Sequence, residues 1–148
     1  MTDGDLDALE LALAVALPET YKAVMRDYPF AEDHEAAEIW LPDDAERVLS
    51  FQFKGYRTPT GRAQWPAHYV VIGNDGGEEV FVLDVSRDPS PVFVFELETS
   101  CFRPLAPDLA AFIAEIHRWH EEISEDERAM EAGARKREGN PWWRRWWR

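Results

Sequence analysis

Residues 68–98 confine the fold more than any other part of the chain. HYVVI (68–72), EVFVLDV (79–85) and PVFVFEL (91–97) are rich in β-branched and aromatic residues. Such residues suit a pleated, half-buried surface. The segments between them, GNDGGE and SRDPS, consist mostly of Gly, Asn, Asp, Ser and Pro, the residues that make tight turns. Three strands on connections this short read as a meander of hairpins.

The glycine stretch admits two other readings, and both fail on chemistry. A phosphate loop needs a Lys followed by Ser or Thr at the start of a helix. Here the glycines lead into a strand, and Glu78 and Glu79 would repel an anion. A calcium loop needs alternating oxygen ligands that end in a helical glutamate. Asn74, Asp75, Glu78 and Glu79 lack that register. Gly73, Asn74, Asp75, Gly76 and Gly77 therefore read as a structural turn, since Gly, Asn and Asp accept positive φ.

Helical periodicity brackets the meander. DLDALELALAVAL (5–17) places Leu6, Leu9, Leu13 and Leu17 at helical spacing, with acids in the first turn where the macrodipole favours them. Pro18 opens a second helix with Tyr21, Val24, Met25 and Tyr28 on one face, because proline is tolerated at a first helical position. EIWLP (38–42) suggests a short strand, and PDDAERVL a helical turn or connection. VLSFQF (48–53) alternates like a strand with one buried face. KGYRTPTGRAQW (54–65) is loop chemistry. After Pro107, Leu109, Phe112, Ile113 and Ile116 align along a last helix, with Asp108 at its start. The order predicts an α+β fold: one domain, with a mainly antiparallel sheet over residues 36–98 and helices before and after it packed on one face. The domain is expected over 1–123, with a charged helical extension and tail over 124–148.

Composition limits the function. The chain has 148 residues, 45% apolar, with a net charge of −13, enough for one real core. Residues 1–120 carry 22 acidic and 9 basic side chains. Such a body repels nucleic acid and anionic membrane and favours basic partners. Cys101 is the single cysteine, so no intrachain disulfide forms, and a reducing cytoplasm is the simplest home. The start, MTDGDLDALE, lacks the pattern of a secretory signal, and no apolar run reaches the length of a membrane span.

The segments LPETYKAVM (17–25), Trp65, YVVIGNDGGEEVFVLDV (69–85), PVFVFELE (91–98) and DLAAFIAEI (108–116) together resemble the SUKH superfamily. That group includes Smi/Knr-type cell-wall regulators of fungi and many bacterial immunity proteins. The hallmark is Ile-Gly-x-Asp-Gly-Gly-acid before a strand ending in Leu-Asp, and the likeness spans roughly residues 5–120. One departure is DYPFAED (27–33), where the family has an NGG-like turn. The resemblance implies a binding protein with no catalytic residue. In its bacterial branch it implies occlusion of a cognate toxin domain, here expected to be basic. The cell-wall branch implies a scaffold for endogenous proteins.

No enzyme signature stands out. His117 and His120 lie three apart on the last helix beside Glu121, yet a metal would need a further ligand. Cys101 reads as buried and inert, and no serine sits in a nucleophile elbow. No metal or cofactor is expected. AEDHEAAEIWLPDDAE (31–46) is more informative. Glu32, Asp33, Glu35, Glu38, Asp43 and Asp44 surround Trp40, which suggests an acidic surface with an aromatic anchor for a basic protein. The alternative is a solvated loop. The tail NPWWRRWWR holds four of the seven tryptophans. It is too short for stable membrane anchoring alone. Docking on its own acidic body, or on a second copy, would hide those indoles from water.

Overall fold

The computed structural model describes residues 1–31, 34, 36–53 and 65–134. In chain order these form α1 (Asp3–Leu13), α2 (Glu19–Arg26), a π-helical turn (Ala36–Trp40) and α3 (Ala45–Phe53). The strands β1 (Tyr69–Asn74), β2 (Glu79–Asp84), β3 (Val92–Glu96) and β4 (Cys101–Ala106) follow, then α4 (Leu109–Ala134). The strands run in order β1-β2-β3-β4 with every pair antiparallel. The expected α+β architecture with an antiparallel meander and a closing helix is what the chain adopts. Met1–Ile116 forms one compact unit and His117–Arg148 a second.

Each helix starts where its local chemistry dictates. At α1, Thr2 and Asp5 form a capping box: the Asp5 amide donates to Thr2 Oγ1 and the Thr2 amide to Asp5 Oδ2. Such a cap contributes about 1 kcal/mol. Burial contributes more, since Leu6, Leu9 and Leu13 all face the core and each adds roughly 1.5–3 kcal/mol. The helix ends at Ala14 in the left-handed region, φ 54°. Glu10 then joins α1 to α2. Its carboxylate accepts from the Leu17 amide at 2.7 Å and meets Lys22 Nζ at 2.8 Å. Asp108 caps α4 by accepting from the Ala111 amide at 2.8 Å, as its position in the sequence predicts.

The sheet has apolar packing on both faces, so its helices do not share the single face that the sequence order suggested. Phe81 meets Phe112 of α4 edge-on, with ring centroids 5.2 Å apart, and Leu109 and Ile116 of α4 are buried too. On the opposite face Val71, Val80, Val82 and Phe95 pack with Phe51 of α3 and with Trp65. Tyr69, Phe93 and Phe102 fringe that second cluster. Among the described residues, the buried Tyr21 hydroxyl and Trp65 indole N–H have no hydrogen-bond partner. Burial pushes the Tyr21 phenol well above its ordinary range.

Four local expectations differ from the structure. VLSFQF is helical, not a strand: Asp44 caps α3 by accepting from the Arg47 amide at 2.7 Å, and Val48, Phe51 and Gln52 form its buried face. EIWLP is not a strand either, because residues 36–40 close a π-helical turn through the Leu41 amide and the Ala36 carbonyl. The sheet therefore runs from 69 to 106 rather than from 36 to 98. Its last strand begins at Cys101, which is exposed rather than buried. That cysteine opens the outermost strand, and its thiol donates to the Thr99 carbonyl at 3.4 Å.

Gln52 explains why α3 lies beside β1. It is buried, and its Nε2 donates to the carbonyls of Val48 (3.1 Å) and Val71 (2.6 Å). Its Oε1 accepts from the Val71 amide at 3.1 Å. The amide side chain thus substitutes for a missing strand at one residue of the β1 edge. Replacing Gln52 with Leu removes both partners of Val71, and each buried unpaired group costs about 1–3 kcal/mol. Urea denaturation of Gln52→Leu is expected to show a loss of about 2–4 kcal/mol. A loss below about 0.5 kcal/mol would mean water satisfies that edge equally well. Tyr21→Phe should behave oppositely, leaving stability unchanged or raising it by up to about 1 kcal/mol, because only an unpaired hydroxyl is removed.

Candidate partner-binding surface

The glycine turn is built to satisfy itself. Asn74 Oδ1 accepts from the Gly76 amide at 2.8 Å. Asp75 Oδ1 accepts from the amides of Gly77 and Glu79, at 2.8 and 3.0 Å. The Asp75 amide closes the loop onto the Glu79 carbonyl. Gly76 has φ +80°, a region that costs most other residues about 1–2 kcal/mol. The turn's backbone donors are thus directed at its own side chains, which is the geometry of a hairpin connection.

Gly73 has a different task. A Cβ placed there would lie 1.9 Å from the Trp40 carbonyl oxygen. The π-helical turn therefore presses its backbone directly onto β1, and only glycine leaves the room. The sheet accommodates this with a bulge between Val71 and Gly73. The next contact is made by Ile39, whose Cδ1 would be 3.2 Å from a Cβ at Gly76. The π-helical turn and the β1–β2 turn are therefore adjacent, although some 35 residues separate them in sequence.

This adjacency decides where the expected acidic residues go. Glu38 is exposed on the π-helical turn, next to the turn that exposes Asp75 and Glu78. Arg47 reaches back to the Glu38 carbonyl at 2.6 Å, so it fixes the backbone of the π-helical turn. Among the described residues no ion pair engages the side chains of Glu38, Asp44 or Glu78. Asp44 is exposed but serves as the cap of α3, and Asp43 is half-buried. Glu32, Asp33 and Glu35 lie outside the described residues, as does the Trp/Arg tail.

Trp40 is not the exposed aromatic anchor that the sequence suggested. It is buried, 5% exposed, and its ring lies 6.3 Å from that of His34. His34 in turn lies 4.8 Å from the ring of Phe30, which meets Tyr28 edge-on at 5.5 Å. The reason is the same contact: a π-helical turn pressed onto Gly73 carries Trp40 inward. The apolar residue left at the acidic surface is Ile39, which is half-buried. Sequence reasoning weighed Asp75 and Glu78 as calcium- or phosphate-loop residues and placed Asp75 in a structural turn, not on a partner surface. Nothing in the linear pattern placed their turn against the one that carries Glu38.

Neighbouring carboxylates are neutralised. Arg103 Nε meets Glu96 at 3.1 Å and its Nη2 meets Glu79 at 3.2 Å, linking β4 to β3 and β2. The Arg103 guanidinium, with the Thr99 hydroxyl after it, holds the Glu96 carboxyl below its ordinary range. Asp84 is buried at the far end of β2, where it accepts from the Ser86 amide and hydroxyl at 3.0 and 2.6 Å and pairs with Arg87 Nε at 3.1 Å. His68 Nε2 stands 3.8 Å from it. The Ser86 hydroxyl is thus spent on Asp84, and the group organises the turn that follows. Among the described residues no group of three or more His, Cys, Asp and Glu is arranged to hold a metal ion. No described helix is long and apolar enough to cross a membrane.

Two tests follow from this geometry. Gly73→Ala is expected to cost more than about 3 kcal/mol or to abolish folding, while Gly77→Ala, whose Cβ meets only the Asp75 carboxylate at 3.4 Å, should stay within about 1 kcal/mol. Equal tolerance of both in thermal melts would refute the close approach. For Glu96 the folded value is depressed, so its stabilisation is present above the unfolded carboxylate range and is lost as pH falls through the folded value. In Arg103→Ala, carbon-detected NMR titration of Glu96 is expected to return its midpoint toward the ordinary carboxylate value. An unmoved midpoint would show that Arg103 is not the cause.

The family comparison agrees with this fold. The family model described as the SMI1 / KNR4 family (SUKH-1) matches residues 1–115. No curated protein and no solved structure matches the chain. The matched span ends one residue short of the last residue of the first compact unit, Ile116, and contains the whole sheet, the π-helical turn and the glycine turn. The chain belongs to the SMI1 / KNR4 family (SUKH-1).

Proposed function

We propose that this chain is a non-enzymatic immunity protein that neutralises a cognate bacterial toxin domain by binding it and covering its active surface. The observation that carries the reading is the meeting of two exposed acidic turns, with Glu38 on one and Asp75 and Glu78 on the other. The body behind them is strongly acidic. Such a surface steers a basic partner through long-range attraction and keeps it in register at short range. A toxin that acts on nucleic acid carries the complementary charge around its active site. The carboxylates of Asp75 and Asp84 are committed to turn backbones, which supports binding over catalysis for these two groups. The single, exposed cysteine supports a reducing cytoplasm as the place of action.

A second reading remains within the same family: a regulatory scaffold of the cell-wall-regulator type that binds endogenous proteins. Its support is that the matching family model bears the name of that branch.

Calorimetric titration with the C-terminal domain encoded immediately upstream tests the first reading. Tight equimolar binding that weakens as salt rises from about 0.05 to 0.5 M is the expected result. The double charge reversal Glu38→Lys with Glu78→Lys should slow association about tenfold at low salt and much less at high salt, with the melting temperature retained. Binding that ignores both salt and the charge reversal would move the interface away from these turns. Absence of any complex would favour the scaffold.

A further inference from the structure

We draw no further inference here: the strongest candidate, the aromatic face of the sheet around Trp65, Tyr69, Phe93 and Phe102, carries nothing because nothing in the structure shows what covers it.

Discussion

The contact on which the molecule depends is a backbone laid against a backbone. The Trp40 carbonyl rests where the Cβ of any residue but glycine would stand at position 73. Close-packed interiors tolerate such an approach only when nothing intervenes. From it follow the bulge in β1, the burial of Trp40 and the nearness of Ile39 to the next turn. The same edge is secured a few residues earlier by Gln52, which supplies both a donor and an acceptor to Val71. A meander of four strands leaves two open edges, and open edges invite pairing with other chains. On β1 the π-helical turn and α3 meet that hazard together. On β4 the chain places Arg103 and Pro104 in the strand itself, a charge and a residue without an amide hydrogen, both of which discourage further pairing.

The parts of the fold that sequence made legible are those in which one rule acts alone. Residues 69–96 follow β-propensity and turn chemistry, and the antiparallel order of β1, β2 and β3 is what those segments imply, although the bulge between Val71 and Gly73 is not. Leu6, Leu9 and Leu13, or Leu109, Phe112 and Ile116, keep helical spacing and are buried. The failures occur where a polar residue does the work of a core residue. In VLSFQF, alternation counts Gln52 as outward and so favours a strand. Its burial beside Val48 and Phe51 is helical, at spacings of three and four, yet only a hydrogen-bonding partner on another element makes that burial affordable. No local pattern reveals such a partner. Strand β4 was hidden for a related reason: Cys101, Arg103 and Pro104 are exposed, so CFRPLA has little of the apolar alternation that marks the other strands.

The acidic surface shows the same division between type and place. The density of acids pointed to residues 31–46, of which Glu38 is exposed on the π-helical turn, and that the body would be acidic was visible from counting. Which carboxylates end up together was not, because it depends on Gly73 and Gly76 admitting the π-helical turn. The aromatic expected at the centre of the patch moved inside by the same contact, and half-buried Ile39 took its place at the surface. A hot spot built on Trp40 would have required the indole to be both a core residue and an anchor, and one side chain cannot bury the same area twice.

A division of labour among the carboxylates follows from these contacts. Glu79 and Glu96 are held by Arg103, Glu10 by Lys22, and Asp84 by Arg87 and Ser86. Each stabilises the fold locally and presents reduced charge to a partner. Glu38 and Glu78 have no such tie among the described residues, so their charge projects outward. Surface ion pairs contribute at most about 1 kcal/mol to folding, so leaving two acids unpaired costs the domain little. For association the balance reverses. An unpaired carboxylate keeps its full field beyond the surface, within the screening length of about 8 Å at physiological salt. Asp7, Asp27, Glu46, Asp88 and Glu98 are likewise exposed and outside any ion pair among the described residues. The outward field therefore belongs to the acidic body as a whole, and the two adjoining turns contribute to it through Glu38 and Glu78.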